Sequence, residues 1–314
     1  PDLPVALTNA GGTHIGNVIY VMGGEADGKP SKLAFSLDMS NLEAGWQTLP
    51  AMPVAQSHSV VVAQNNGKTS CIYVLGGRSA TPSGISDLHG TNFCFNPTTK
   101  KWSEKAQISD GKIATTWSAG TGAASGASYI ILFGGDNGNV FHQIETYNSR
   151  IAKESSEEVK QKLQAEKLPL LIGHKGFSRD IYLYNTITDV WTKIGEMPDF
   201  GQVTTTAVKV GNEIFIPSGE IKPGVRTPVI TYGEIQSQSN FSWIDTAVLA
   251  ICFLLMTAGR FLFTGHTNNT DDYFKGGERI PQWAAGISIF GAKLSAITFM
   301  GIPAKTYVTD WTYF

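Results

Sequence analysis

An apolar strand ending in a glycine pair recurs along the chain, and it limits what these 314 residues can fold into more than any other feature. It reads VIYVMGG over Val18 to Gly24, CIYVLGG over Cys71 to Gly77, YIILFGG over Tyr129 to Gly135, and EIFIPSG over Glu213 to Gly219. After each of the first three comes a strand, a turn and a tryptophan: FSLDMSNLEAGW ending at Trp46, FCFNPTTKKW ending at Trp102, and IYLYNTITDVW ending at Trp191. A small, β-branched run precedes the glycine strand, as in HSVVVAQ (His58 to Gln64) and TTTAVKV (Thr204 to Val210). Glycine in a strand end lets another backbone approach closely. A tryptophan at a fixed offset buries the most area where repeats meet. Both residue types therefore read as carriers of the fold rather than of chemistry.

A repeat of roughly 50 to 60 residues built of four strands is the signature of a kelch-type β-propeller. The 34 glycines and the low charged fraction, 16%, suit such an all-β protein with many tight turns. Three full blades and part of a fourth fall within residues 1–235. No initiator Met or signal peptide opens the chain, and it stops inside an apolar region. The expectation is an incomplete propeller, about four blades of a larger ring, with further blades upstream and further helices downstream in a longer parent.

One blade is interrupted between Asp136 and Ser178, where strand periodicity stops; the insertion proper is placed at 139–178. Ile151 to Lys167 reads IAKESSEEVKQKLQAEK, a solvated amphipathic helix. It falls between the second and third strands of its blade, so it overhangs one face, and insertions on one face mark the binding face of a repeat protein. Asn139 and His142, which begin it, are candidate ligand contacts.

The densest charge cluster follows the last glycine strand. IFIPSGEIKPGVRTP (Ile214 to Pro228) places Glu220, Lys222 and Arg226 within seven residues, stiffened by Pro223, Gly224 and Pro228. Stiff loops at strand ends are where chemistry is placed. Its bland counterpart is an exposed Glu–Arg pair in a turn, worth about 0 to 1 kcal/mol. Arg78 and Asp136 each directly follow a glycine pair and are expected to project into the same central mouth.

Residues 236–242 form a polar linker. Trp243 to Phe263 is apolar and about 21 residues long, enough to cross a bilayer, and a transmembrane helix is expected at 243–265. A polar loop (266–279) is expected on the cytoplasmic side because of Lys275 and Arg279. The apolar segment at 280–314 carries Gly286, Gly291, Lys293, Gly301 and Pro303, the interruptions of a broken helix. A net charge of −2 gives no support for a nucleic-acid partner. Three cysteines without CxxC or Cys/His spacing argue against zinc; a Cys71–Cys94 disulfide is left open.

The stretch from GGDNGNVF through IYLYNTITDVW into SGEIKPGVRTP resembles the kelch-type N-acetylneuraminate (sialic acid) mutarotases, also called epimerases. The resemblance implies that Glu220 is the proton acceptor and Arg226 its active-site partner, which would grip the carboxylate that sialic acid carries beside its anomeric carbon. Lys222, Arg78, Asp136, Asn139 and His142 are read from their positions as substrate contacts, and no cofactor is expected for the propeller. It implies six blades. In the stand-alone enzymes the G-E-x-K-P-G-x-R-T motif lies mid-chain, whereas here it ends the propeller, so the blades read as cyclically permuted. DDYFKGGERIPQWAAGISIFGAKLSAITFMGIPAKTYVTDW (Asp271 to Trp311) is similar to the start of sodium:solute symporters of the sodium/glucose and sodium/sialic acid type. That resemblance implies a fused transporter whose first core helix is 280–314. Gly291 and Leu294 would offer backbone carbonyls to sodium, and Ser295 and Thr298 would face the substrate.

Taken together, the expectation is an isomerase that interconverts sialic acid anomers. Its propeller would stand on the periplasmic side of an inner membrane, joined to a multi-pass, sodium-driven sialic acid or sugar symporter of which this stretch is only a part. The rival is a non-catalytic sugar-binding or interaction propeller anchored to the same symporter.

Overall fold

The computed structural model of the chain describes residues 1–236 and 243–264. Residues Pro1–Gln236 form one compact unit of four blades. The first contains β1 (Gly11–Ile15), β2 (Val18–Met22), a small hairpin β3 (Glu25–Ala26) and β4 (Lys29–Pro30), then β5 (Ala34–Asp38) and β6 (Gln47–Thr48). The second repeats this as β7 (Val60–Asn65), β8 (Ser70–Leu75), the hairpin β9 (Arg78–Ser79) and β10 (Asp87–Leu88), β11 (Asn92–Asn96) and β12 (Lys101–Lys105). In the third, β13 (Thr121–Ser125) and β14 (Tyr129–Phe133) are followed by α1 (Phe141–Lys153) and α2 (Glu157–Ile172), then β15 (Asp180–Asn185) and β16 (Val190–Glu196). The fourth has β17 (Val208–Val210), β18 (Glu213–Pro217), the hairpin β19 (Glu220–Lys222) and β20 (Val225–Arg226), and β21 (Ile230–Glu234).

Each blade is an antiparallel sheet taken in sequence order, β1-β2-β5-β6 in the first and β13-β14-β15-β16 in the third. The three expected four-stranded blades are present, and the fourth has three strands, β17-β18-β21. The part of every blade lying between its second and third main strands is the hairpin or helical pair. All four insertions therefore leave from equivalent points.

The cores lie between blades. Alternation along β8 sends Ile72 and Val74 toward the first blade, where they join Tyr20, Met22 and Val61. It sends Tyr73 and Leu75 toward the third, where they join Ile130, Leu132 and Trp117. β14 repeats the arrangement, with Ile131 packing on Ile214 and Ile216 of the fourth blade. Strands buried on both faces read as continuous apolar runs, which is why VIYVM and CIYVL lack a polar face.

The repeated tryptophans tie the blades at their outer strands. The indole of Trp46 donates to Pro1 O (3.0 Å), that of Trp102 to Pro50 O (2.9 Å), and that of Trp191 to Ala106 O (2.8 Å). The glycine pairs work at the opposite end. Gly76 has φ 61°, and a Cβ there would lie 2.2 Å from Trp117 O of the next blade. Gly77 N then donates to that same carbonyl at 2.8 Å. Only glycine supplies both the left-handed φ and the missing side chain.

The sequence did not announce a second inter-blade device. Asn9, His58, Ala119 and Thr204, one just before each innermost strand, all take left-handed φ, 54°, 56°, 59° and 51°. His58 N donates to Asn9 O (3.1 Å), Ala119 N to His58 O (3.0 Å) and Thr204 N to Ala119 O (2.8 Å). A run of backbone hydrogen bonds thus passes from blade to blade.

One expectation is corrected, and one question left open by the sequence is answered. The single helix read over 151–167 is two helices that part at Glu154–Ser156. Ser156 caps the second by accepting from Val159 N (3.5 Å), and the Glu154 backbone is extended. Only Leu163 of α2 is buried. Cys71 and Cys94 are free, buried thiols on adjacent strands and form no disulfide.

The second unit is described through α3 (Trp243–Thr264), which coincides with the segment read as a membrane span. Its large apolar side chains from Trp243 to Leu255 are exposed where described. Over the described residues alone, no helix is long and apolar enough to cross a membrane. The residues read as linker from 237, the polar loop at 266–279 and the broken helix at 280–314 lie outside the described residues.

Candidate functional site

The residue directly after each glycine pair, and after Ser218–Gly219 in the fourth blade, is charged: Glu25, Arg78, Asp136 and Glu220. Each is held by two backbone hydrogen bonds to the residue that precedes the innermost strand of its own blade. Glu25 is paired in this way with Thr8 (2.8 and 3.0 Å), Arg78 with Ser57 (both 2.9 Å), Asp136 with Ser118 (2.9 and 3.0 Å) and Glu220 with Val203 (2.9 and 3.0 Å). The repeat therefore fixes four charged residues at equivalent stations on one rim.

Three of the four, Arg78, Asp136 and Glu220, line one cavity of about 370 Å³ together with His58, Ser118, Phe141, His174, Phe177, Thr204 and Pro223. That volume is of the size small-molecule sites occupy. Phe141 opens α1, and His174 and Phe177 follow α2, so the helical insertion does overhang the mouth as its position in the blade implies. The His174 and Phe177 rings lie 5.2 Å apart.

Glu220 is half-buried. Its Oε1 lies 3.7 Å from Arg226 Nη1 across the β19–β20 hairpin, where the two residues are register partners. Its Oε2 accepts from Gly224 N at 3.4 Å. Arg226 is exposed and also donates to Thr204 O (3.2 Å), a member of the left-handed run.

Also lining the cavity, Arg78 has its Nη2 3.4 Å from His58 Nε2 and its guanidinium 4.9 Å from the Phe141 ring centroid. His58 Nδ1 is 2.9 Å from Ser57 Oγ, which donates to Glu25 Oε1 at 2.7 Å. Burial first, and Arg78 second, push the His58 imidazole down to about 4, outweighing the opposing pull of Glu25. His174 is also held below the usual range, chiefly by burial. Its Nδ1 accepts from Gly176 N at 3.0 Å. At neutral pH the cavity carries two neutral imidazoles beside one guanidinium and two carboxylic side chains.

Of the residues anticipated, Arg78, Asp136 and Glu220 meet at the cavity. Lys222 and Arg226 stand on the same hairpin but off the cavity wall. Asn139 is exposed, and its polar backbone is used by Asn137 and Gln143. His142 faces Gly138 within α1, with Nε2 buried and unpartnered, and does not line the cavity. Ser295, Thr298, Gly291 and Leu294 lie outside the described residues. Glu25, Ser57, His58, Ser118, Phe141 and His174 were not anticipated. The repeat held the signal for Glu25, which has the same offset from Gly23–Gly24 as Arg78 has from Gly76–Gly77. No local pattern marks His174.

Against known proteins, the model of the N-acetylneuraminate epimerase family matches residues 1–253. An N-acetylneuraminate epimerase of Haemophilus influenzae (strain PittEE) is 26% identical over 241 residues, 76% of this chain and 60% of that protein. The chain thus spans about three fifths of the length of that relative. A solved structure titled "Structure of YjhT" superposes with a TM-score of 0.62 at 18% identity, covering 76% of this chain and 68% of the other, a likeness of fold. A shorter similarity joins 74 residues, 24% of this chain, to 15% of the sodium/sialic acid symporter SiaT of Proteus mirabilis (strain HI4320), at 47% identity. With the family's pattern matched across four blades and beyond, the chain belongs to the N-acetylneuraminate epimerase family.

Proposed function

We propose that the propeller is an isomerase that interconverts the anomers of N-acetylneuraminate, with Glu220 as the proton acceptor. The observation that carries this reading is the convergence of Glu220, Asp136 and Arg78 on one cavity in a chain of this family. Mutarotation breaks the bond between the anomeric carbon and the ring oxygen, leaves an open-chain ketone, and closes the ring on the other face. A base removes the anomeric hydroxyl proton while an acid protonates the ring oxygen; both proton transfers reverse on closure. A half-buried carboxylate fixed by its backbone meets the first need. Water or a second group of the cavity meets the other. Arg226, 3.7 Å from Glu220 across the hairpin, sets a positive charge beside the ionised, base form of the carboxylate.

On this reading the blades are a cyclic permutation of the order in the relatives, and the chain continues into a sodium-coupled sialic acid symporter. The propeller would stand on the periplasmic face, and the span expected at 243–265, of which α3 is the described part, would cross the membrane. The 74-residue similarity to SiaT supports that arrangement. The propeller would then deliver to the transporter the anomer it takes up.

The direct test follows anomer exchange of N-acetylneuraminate by NMR with the full chain. Exchange faster than in buffer is expected. Binding of the sugar with no acceleration would replace the enzyme by a capture module.

A further inference from the structure

The site holds two arginines in opposite electrostatic situations. Arg226 is 55% exposed at its side chain and already faces Glu220. Arg78 is half-buried on the cavity wall and makes no ion pair with a carboxylate among the described residues. Its partner is a histidine, and the hydrogen-bond directions fix the state of that histidine. Glu25 can only accept from Ser57. The Ser57 oxygen then accepts from His58 Nδ1–H, which leaves His58 Nε2 bare to accept from Arg78. A neutral acceptor aims a guanidinium without cancelling its charge. Phe141 covers one face of that guanidinium, which is how arginine is held flat while its edge stays free. The low proton affinity of His58 keeps this arrangement intact at neutral pH.

A second observation points to an occupant. Ser118 is 3% exposed, lines the same cavity, and its Oγ has no protein partner. Gly77 N donates to Trp117 O at 2.8 Å, so Arg78 and Ser118 each directly follow a residue of one inter-blade hydrogen bond, and both line the cavity. A cation aimed by a neutral group, beside an unpartnered hydroxyl, is a site for an oxyanion.

We propose that Arg78, with the Ser118 hydroxyl, binds the substrate carboxylate, and that Phe141 and the Glu25–Ser57–His58 series position its guanidinium. This rests on the reading above that the substrate is a sugar acid, and it gives the carboxylate to Arg78 rather than to Arg226. The sugar would then lie between Arg78 and Glu220, its anomeric carbon, which bears the carboxylate, presented to both.

The test compares N-acetylneuraminate with its methyl ester, which lacks the charge, on the full chain. Binding is read by calorimetry and exchange by NMR, for wild type, Arg78→Met, Arg78→Lys and Arg226→Met. A charge-assisted contact of this kind predicts that Arg78→Met weakens binding of the acid by about 10- to 100-fold. The loss on the ester should be at least about tenfold smaller on the same ground, with Arg78→Lys intermediate and Arg226→Met showing no such preference. Equal losses on acid and ester, or no loss, would overturn the assignment of Arg78; a charge preference that follows Arg226 would return the carboxylate to that residue. Arg78-dependent binding of the acid without any acceleration by wild type would overturn the isomerase reading and leave the assignment standing. Absence of binding by wild type would overturn both.

Discussion

Glu220 and Arg226 are register partners across the β19–β20 hairpin, with Oε1 and Nη1 3.7 Å apart and one of the two exposed. Pairs this open contribute about 0 to 1 kcal/mol to stability. Arg226→Met is therefore expected to leave the thermal midpoint within a few degrees of wild type. By freeing the Glu220 carboxylate it should lower kcat about tenfold, the value of one charge-assisted contact. Calorimetry and exchange kinetics on one preparation check both halves. A large drop in midpoint with unchanged kcat would make the pair structural.

Two glycines with the same left-handed backbone should respond differently to alanine. Gly16 has φ 57°, and a Cβ there would have nothing within 4 Å, so Gly16→Ala meets only backbone strain, roughly 1 to 2 kcal/mol. At Gly76, φ 61°, the new Cβ would meet Trp117 O at 2.2 Å and the Trp117 ring at 2.8 Å. Gly76→Ala must also push two blades apart, and a loss of more than about 3 kcal/mol is expected from strain plus overpacking. Urea unfolding of the two variants measures the difference; equal losses would mean that the blades do not meet at this point.

Trp191 is 2% exposed, stacks on Tyr184 at 4.7 Å between ring centroids, and donates to Ala106 O of the preceding blade segment. Trp191→Ala should cost about 3 to 5 kcal/mol, the range for emptying a buried aromatic site. Trp191→Phe keeps the stack and loses the hydrogen bond, and should recover more than half. Denaturant midpoints of both variants read this directly.

The fold was legible where one constraint repeats. Glycine pairs, tryptophans and two-sided apolar strands each answer to blade contact, and they recur because every blade solves the same packing problem. Asn9, His58, Ala119 and Thr204 share a left-handed backbone but not a residue type, so their series of hydrogen bonds leaves no pattern in the letters. Within the site, Arg78 and Asp136 could be read from their place after a glycine pair, and Glu220 from the charge cluster in the stiff loop after the last apolar strand. His174 and Phe177 reach the cavity through the fold of a helical insertion that has no counterpart in the other blades. The break between α1 and α2 escaped because the charged run KESSEE suits an exposed helix, and only the Ser156 cap shows where the second one begins.

Acid should weaken the propeller through a known group. His58 binds a proton with a pKa near 6.5 when unfolded and about 4 when folded. Between those values the unfolded chain holds more protons, so stability falls as pH drops from about 6.5 to about 4 and is retained above that window. The full effect is on the order of 3 kcal/mol, as the side chain is only 12% exposed. His89 and His174, both lowered chiefly by burial, act with the same sign. His58→Asn keeps a residue type that tolerates the left-handed backbone. Thermal midpoints from pH 7.5 to 4.5 should fall less steeply in this variant than in wild type; parallel slopes would show that His58 is not the group responsible.

The most direct test of Glu220 as proton acceptor is the rate of N-acetylneuraminate anomer exchange in Glu220→Gln, followed by NMR beside wild type at equal protein concentration. The amide keeps the size and the backbone pairing with Val203 but cannot take the proton. Loss of a positioned base predicts a fall of about 10²- to 10⁴-fold in the catalysed rate, with the thermal midpoint nearly unchanged. Exchange that proceeds at the wild-type rate in Glu220→Gln would contradict the assignment.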